Sequence, residues 1–285
     1  MDKTANCYLC NSNDFSLVAN KEQIRFGCYG FDKQFLKCNT CGLIQLVSPW
    51  TEEELKHLYA QYSQKRDFVG AKPKQTISAY LGKYLKKADR ILEIGCSFGD
   101  NLRKLQKKGY DVLGIDRDPT VCDGKLILNY DLKDYVYKGE KFDFIYAIHV
   151  FEHIANPRVF IEQLCSSLKE NGRFLLEVPS AEDPLLRLYN IDNFKKFYWY
   201  PYHLFFYEQN TIEQLFREFK CLDVKIVRLQ RYGLINHLRW LIFRRPGNFN
   251  PNIPLIDQIY KFILTKILKV SDTLVIIGQK KEKQQ

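Results

Sequence analysis

No run of apolar residues in the 285-residue sequence is long enough to cross a bilayer as a helix, which excludes an integral helical membrane protein. The first residues, Met1 to Cys7, lack the apolar segment of a secretory signal, so a cytoplasmic chain is expected. Histidine is scarce: His57, His149, His153, His203 and His237 are all there are, so imidazole chemistry must use one of five positions. Acids are outnumbered, 33 Asp and Glu against 43 Lys and Arg, which leaves a net charge of +10. That excess suits anionic partners (a nucleotide-sugar, a lipid phosphate, a membrane surface, nucleic acid) without choosing among them. A 46% apolar content is enough to bury a core, and the length fits one large domain or two small ones.

Nine cysteines in a reducing compartment read as metal ligands or buried thiols rather than disulfides. Cys7-Tyr-Leu-Cys10 and Cys38-Asn-Thr-Cys41 are two C-x-x-C knuckles, each able to aim two thiolates at one ion. Together Cys7, Cys10, Cys38 and Cys41 complete a tetrahedral structural zinc site in a ribbon over residues 1–50, with no open position for catalysis. Strand-like text at Phe15–Val18 and Gln23–Phe26 is expected to form a hairpin between the knuckles, and Cys28 is left outside the set. Thr51 and Glu54 then open a helix as a capping box, with Leu55, Leu58, Tyr59 and Tyr62 at helical spacing. Residues 51–76 are read as a helical linker, broken at Gly70–Pro73.

From Ile77 the text alternates helix and strand in the manner of a parallel α/β sheet. A helix at Ile77–Lys87 precedes the strand Arg90–Ile94, the turn Gly95-Cys-Ser-Phe-Gly99 and a second helix around Leu102 and Leu105. Such a turn lets a ligand approach the backbone closely, facing helix N-terminal amides. Asp116, after the strand Val112–Ile115, can hold a ribose diol. The dinucleotide pattern G-x-G-x-x-G is not present, and the carboxylate of Glu93 near the turn disfavours a pyrophosphate while suiting a cationic or amino-acid-bearing ligand.

Ile91-Leu-Glu-Ile-Gly-Cys-Ser-Phe-Gly99 resembles the E-x-G-x-G-x-G-type loop of class I S-adenosylmethionine-dependent methyltransferases, with Ser97 at the central glycine. The likeness runs to about Arg228 and takes in the strand Phe142–Ile148 and the run His149-Val-Phe-Glu152-His153-Ile-Ala-Asn-Pro157. It implies a Rossmann-like α/β core over 77–230 and 272–281 with S-adenosylmethionine as cofactor. It also implies Glu93, Gly95, Ser97, Gly99, Asp116 and His149 in the cofactor site, with Asp131 at the adenine amine; a loop cap is the plainer role for Asp131.

Methyl transfer to a hydroxyl or carbon acid needs an aligned acceptor and a base. His149, Glu152 and His153 can converge on a divalent ion if a helical turn starts there; similar E-x-x-E-H runs in ubiquinone-type O-methyltransferases are associated with a metal. The alternative has His153 capping the helix and Glu152 orienting a neighbour. His203 lies in Phe197-Tyr-Trp-Tyr-Pro-Tyr-His-Leu-Phe-Phe-Tyr207, which is either a buried segment or an aromatic wall for a sugar or other flat acceptor. Tyr200-Pro-Tyr-His203 resembles the Y-H-E-H run of deoxysugar C-methyltransferases, though Tyr202 replaces the Glu. His203 is taken as base, Tyr200 as its helper and His153 as a further catalytic residue. The ribbon-plus-core arrangement resembles methyltransferases found with bacterial surface-glycan and secondary-metabolite pathways, implying a small-molecule, nucleotide-sugar or glycan acceptor.

Residues 231–271 read as a helical insertion before the last strand, Thr273–Gly278. Ile256, Ile259, Tyr260, Ile263, Leu264 and Ile267 share one helical face, expected to pack on the core. With Arg239, Arg244 and Arg245 the insertion can alternatively touch a membrane surface or an anionic acceptor. Nucleic acid is disfavoured, because the lysines are scattered and the aromatics sit in an apolar run. An RNA methyltransferase and a non-catalytic partner-binding scaffold stand as the alternatives.

Overall fold

The computed structural model describes residues 6–24, 33–47, 50–51, 53–54, 81–136, 139–245 and 253–282. Three short strands come first: β1 (Phe15–Ala19), β2 (Gln34–Cys38) and β3 (Ile44–Val47), paired antiparallel in that order. The core then runs β4 (Arg90–Ile94), α1 (Asp100–Lys107), β5 (Asp111–Asp116), β6 (Ile127–Asn129), α2 (Leu132–Val136), β7 (Phe142–Ile148), α3 (Pro157–Ser167) and β8 (Leu168–Pro179). It continues with α4 (Pro184–Arg187), α5 (Asp192–Tyr198), β9 (Phe205–Phe206), α6 (Gln209–Arg217), β10 (Leu222–Leu229), α7 (Leu234–Phe243), α8 (Pro254–Phe262) and β11 (Thr273–Lys280).

Seven of these strands form one sheet in the order β10-β11-β8-β7-β4-β5-β6. β4 to β8 are mutually parallel, and β11 is inserted antiparallel between β8 and β10. The central strands are apolar throughout because helices cover both faces: Ile91, Leu92, Phe144, Ile145 and Tyr146 have no exposed surface. The order reverses between β4 and β7, so their C-terminal ends frame the crevice where open α/β sheets hold ligands. This is the Rossmann-like fold that the alternating text predicts.

The small sheet does not stand apart. β9 adds to β3, with Ile44 opposite Phe206 and Gln45 opposite Phe205, and the Leu46 N–H donates to the Leu204 carbonyl at 2.9 Å. Arg158, at the start of α3, donates to the carbonyls of Tyr8 and Leu9 in the first knuckle at 2.7 and 2.9 Å and pairs with Glu218 at 2.6 Å. The Trp50 indole donates to the Pro201 carbonyl at 2.8 Å. A knuckle turn leaves carbonyls without partners, and an arginine fork satisfies two of them at once.

Two local expectations are corrected. β1 pairs with β2, and residues 21–24 form a turn instead of a second strand, because Asn20 and Gln23 cap that bend with their side chains. The helix expected at Ile77–Lys87 is described only from Leu81, where it ends and gives way to a turn over 82–84. The Thr51–Glu54 capping box is formed, at 2.8 and 3.2 Å, while the rest of that helix, the break at Gly70–Pro73, Cys28 and His57 lie outside the described residues.

α7 and α8 connect β10 to β11 along the chain, but the apolar face of α8 and its continuation over Ile263–Ile267 does not pack on the core as expected. Leu264 is buried, whereas Ile256, Ile259, Ile263 and Ile267 are exposed. The pair is held from inside by polar groups. Asp257 accepts from the N–H groups of Leu234 and Ile253 at 2.8 and 2.9 Å, capping α7 and α8 together. His237 Nδ1 meets the Tyr260 hydroxyl at 2.6 Å, which meets the Tyr189 hydroxyl at 2.8 Å. Burial, joined by Lys261 and opposed by Asp272, holds the His237 pKa down at about 4. A histidine depressed on folding binds its proton more readily in the unfolded chain. Its contribution is therefore complete above about pH 6.5 and is lost as pH falls toward 4. The melting temperature should drop over that window, and His237→Gln should flatten this part of the profile; an unchanged slope would show that His237 is not buried neutral.

Candidate active site

The turn after β4 is built by three left-handed residues, Gly95 (φ 68°), Ser97 (φ 50°) and Gly99 (φ 71°). It reverses the chain within a few residues and delivers it to the start of α1. Asp116, at the end of the neighbouring β5, fastens this turn: one carboxylate oxygen accepts from the Ser97 N–H at 2.7 Å and the other from the Asp118 N–H at 2.9 Å. The carboxylate is thereby fixed in direction while each oxygen keeps a free lone pair. Glu93 lies beneath the turn, 4% exposed, receiving the Tyr146 hydroxyl at 2.8 Å and the Asn101 amide at 3.4 Å. Burial and the Glu93 charge push the Tyr146 phenol well above its ordinary pKa, so it stays a donor. Asp131 starts α2, its carbonyl accepting from Tyr135, and its carboxylate faces Arg117 at 3.2 Å.

The second half of the site follows β7. His149 takes a left-handed backbone (φ 54°), and residues 151–153 form a single 3₁₀ turn. This turn buries Glu152 completely and surrounds it with imidazoles. Glu152 Oε1 lies 3.3 Å from His149 Nδ1, 4.0 Å from His153 Nε2 and 3.9 Å from His203 Nε2. Burial alone would raise its pKa; the His149 hydrogen bond and the neighbouring histidines overcome that and hold it down at about 2. Glu152 is an anion without solvent.

The three histidines differ in their second nitrogens. His149 Nε2 faces the Arg231 guanidinium at 3.0 Å, and Arg231 in turn approaches Glu177 at 3.4 Å and Asp272 at 3.5 Å. Arginine only donates, so His149 Nε2 accepts and its Nδ1 carries the proton toward Glu152. His153 Nδ1 donates to the Tyr202 carbonyl at 2.8 Å, which leaves Nε2 as the basic nitrogen. The His203 ring lies edge-on to His153 at 4.8 Å between centroids, and burial and the adjacent imidazoles depress its pKa to about 3. His203 Nδ1 and Glu152 Oε2 are buried with no hydrogen-bond partner among the described residues.

Several expectations change here. Part of the aromatic run is core, with Trp199, Phe205, Phe206 and Tyr207 buried, while Tyr200, Tyr202 and His203 stay half-exposed beside the other histidines. Tyr200 lies 5.5 Å from the His203 ring. The metal-type donor set is Glu152, His153 and His203, whose ligand atoms lie within 4.8 Å of one another, with His203 standing where His149 was expected. Arg231 engages His149 and holds it out of that set. Arg231, Glu177 and Asp272 were not singled out in the sequence; the visible signal was an acid within the apolar end of β8 and another just before β11. Near the N-terminus, the Cys7, Cys10, Cys38 and Cys41 sulfurs converge as the spacing predicts, within 4.8 Å of one another.

The two halves touch. A Cβ at Gly95 would come within 2.5 Å of Val150 Cγ2, and its φ already belongs to the left-handed region. Gly95→Ala should therefore destabilise the fold by about 1–3 kcal/mol. Adding Val150→Ala should recover only the steric part of the loss in melting temperature. Full recovery would mean that the backbone angle is not a constraint.

A family model described as methyltransferase domain matches residues 45–224, more than half of the chain. Among curated relatives, the ubiquinone biosynthesis O-methyltransferase of Methylobacterium nodulans is 27% identical over 95 residues, 30% of this chain and 38% of that protein. The enzyme of the same name from Bartonella tribocorum is 31% identical over 94 residues, 29% of this chain and 38% of that protein. The chain thus spans under two-fifths of the length of these relatives. A SAM-dependent methyltransferase from Archaeoglobus fulgidus shares the fold with a TM-score of 0.53 at 22% identity, over 77% of this chain and 99% of that one. Turn, fastening carboxylate, strand order and family match agree, and the chain belongs to the methyltransferase-domain family with the class I S-adenosylmethionine-dependent fold.

Proposed function

We propose that the protein transfers a methyl group from S-adenosylmethionine to a hydroxyl of a sugar, glycan or related small acceptor. The observation that carries this reading is the buried Glu152 anion ringed by three imidazoles, directly beside the Gly95–Gly99 turn. When bound, the cofactor supplies an electrophilic methyl on a sulfonium centre. The turn and the fixed, half-satisfied Asp116 carboxylate fit its ribose, with Glu93 and Asn101 under the turn and Asp131 with Arg117 at the adenine end. His149 supports this end of the crevice by closing the Glu152–Arg231 chain.

On the acceptor side, we assign His153 rather than His203 as the base. The Tyr202 carbonyl fixes its tautomer, and Glu152 stabilises the imidazolium formed as it takes the hydroxyl proton through Nε2. His203, a weaker base by burial, lies against His153 and with Tyr200 and Tyr202 bounds the acceptor. The curated relatives named as O-methyltransferases support oxygen as the target atom. The Glu152, His153 and His203 donor set also fits a divalent cation, which would bind the acceptor oxygen directly. The four converging thiols fit a structural zinc ion in the ribbon, and we take 1–50 as ribbon, 51–76 as linker, 77–230 with 272–281 as core and 231–271 as insertion.

Calorimetric titration with S-adenosylmethionine and its demethylated product should show binding, weakened about tenfold or more by Asp116→Ala. No binding by the folded protein would overturn the reading. In transfer assays across nucleotide-sugars and glycans, His153→Ala should lower kcat by roughly 10²–10⁴ with cofactor affinity kept; a loss confined to KM would remove it as the base. Elemental analysis of the purified protein should find one zinc per chain, lost with unfolding of the ribbon in Cys41→Ser.

A further inference from the structure

Eight large apolar side chains among the described residues are more than half exposed, and six of them lie on the α7–α8 pair and its continuation: Ile242, Phe243, Leu255, Ile259, Phe262 and Ile267. The opposite side of the pair is the part fixed to the protein through His237, Asp257, Tyr260 and Leu264. The outward face is thus apolar by construction, and the polar anchor prevents it from turning inward. Its charge is of one sign. The described residues between 234 and 269 include Arg239, Arg244, Arg245, Lys261, Lys266 and Lys269, against a single acid, Asp257, which is 3% exposed. Arg244, Arg245, Lys266 and Lys269 are exposed at the C-terminal ends of the two helical runs.

We propose that this face docks the protein on an anionic lipid bilayer, with the apolar side chains in the headgroup–acyl boundary and the terminal Lys and Arg on lipid phosphates. An amphipathic helix with a broad apolar face and a basic rim is the arrangement that lies in a membrane surface. Charge selects this occupant over a second copy of the chain, because a symmetric dimer would bring two positive rims together with no exposed acid on the pair to oppose them. The docked face adjoins the active site: Lys261 Nζ donates to the Arg231 carbonyl at 3.0 Å, and the Arg231 side chain contacts His149. The proposal is independent of which group is methylated.

Co-sedimentation of the full chain with phosphatidylcholine vesicles, with and without phosphatidylglycerol, tests it. Binding should require the anionic lipid, weaken with added salt, and fall roughly tenfold or more in both Arg244→Gln/Arg245→Gln and Leu255→Ser/Ile259→Ser. These side chains are exposed, so the variants should melt as the parent does. Equal binding to neutral vesicles, no binding to anionic ones, or a dimer in analytical ultracentrifugation that Leu255→Ser/Ile259→Ser dissolves would each overturn the assignment, the last giving the face to a second copy.

Discussion

A carboxylate sealed from water has to be neutralised, protonated or surrounded by donors, and Glu152 is surrounded. Its side chain gathers His149, His153 and His203, while its backbone carbonyl accepts from Leu204 at 2.8 Å. One residue therefore ties the loop after β7 to the segment that enters β9. That anion is the one group all three imidazoles share, while Arg231 and the Tyr202 carbonyl fix the second nitrogens of His149 and His153. The left-handed His149 backbone is tolerated on the same account, since it sets His149 between Glu152 and Arg231.

The ribbon belongs to this arrangement. β9 follows His203 by two residues and pairs with β3 of the small sheet, so the knuckles and the histidine cluster share one strand pairing. Arg158 adds a second clamp, and buried Phe35, Trp199 and Phe206 fill the space between. A chain of contacts runs from the thiols to the histidine cluster and leaves the Gly95–Gly99 turn to the main sheet. The Cys7, Cys10, Cys38 and Cys41 cluster and the histidine cluster are joined through β9.

Much of the core was legible because parallel strands buried on both faces read as apolar runs, and because Gly95, Ser97, Gly99 and Asp116 occupy positions where only a few residue types fit. The four thiols were legible for a similar reason: C-x-x-C spacing constrains geometry locally. Glu152 and His153 could be singled out, but not their partners. Arg231 comes from 82 residues away to reach His149, and His203 displaces His149 from the metal-type set; long-range juxtaposition of this kind leaves no local pattern. The aromatic run looked like a wall because nothing in its composition showed that β9 would be drawn into the ribbon sheet. The outward face of α8 was misjudged since a helical stripe gives a direction without saying what covers it. Asp257, Tyr260 and His237 decided the matter by fixing the polar side inward.

If the Gly95–Gly99 turn and the Glu152 cluster form one site, both must face the same bound cofactor. The most direct test is a crystal structure with the demethylated cofactor product bound. A single site requires the ribose hydroxyls on Asp116, the sulfur over the Gly95–Gly99 turn, and His153 Nε2 facing the open crevice with Nδ1 still on the Tyr202 carbonyl. A product bound away from Asp116, or a His153 whose Nε2 is turned from the crevice, would contradict it.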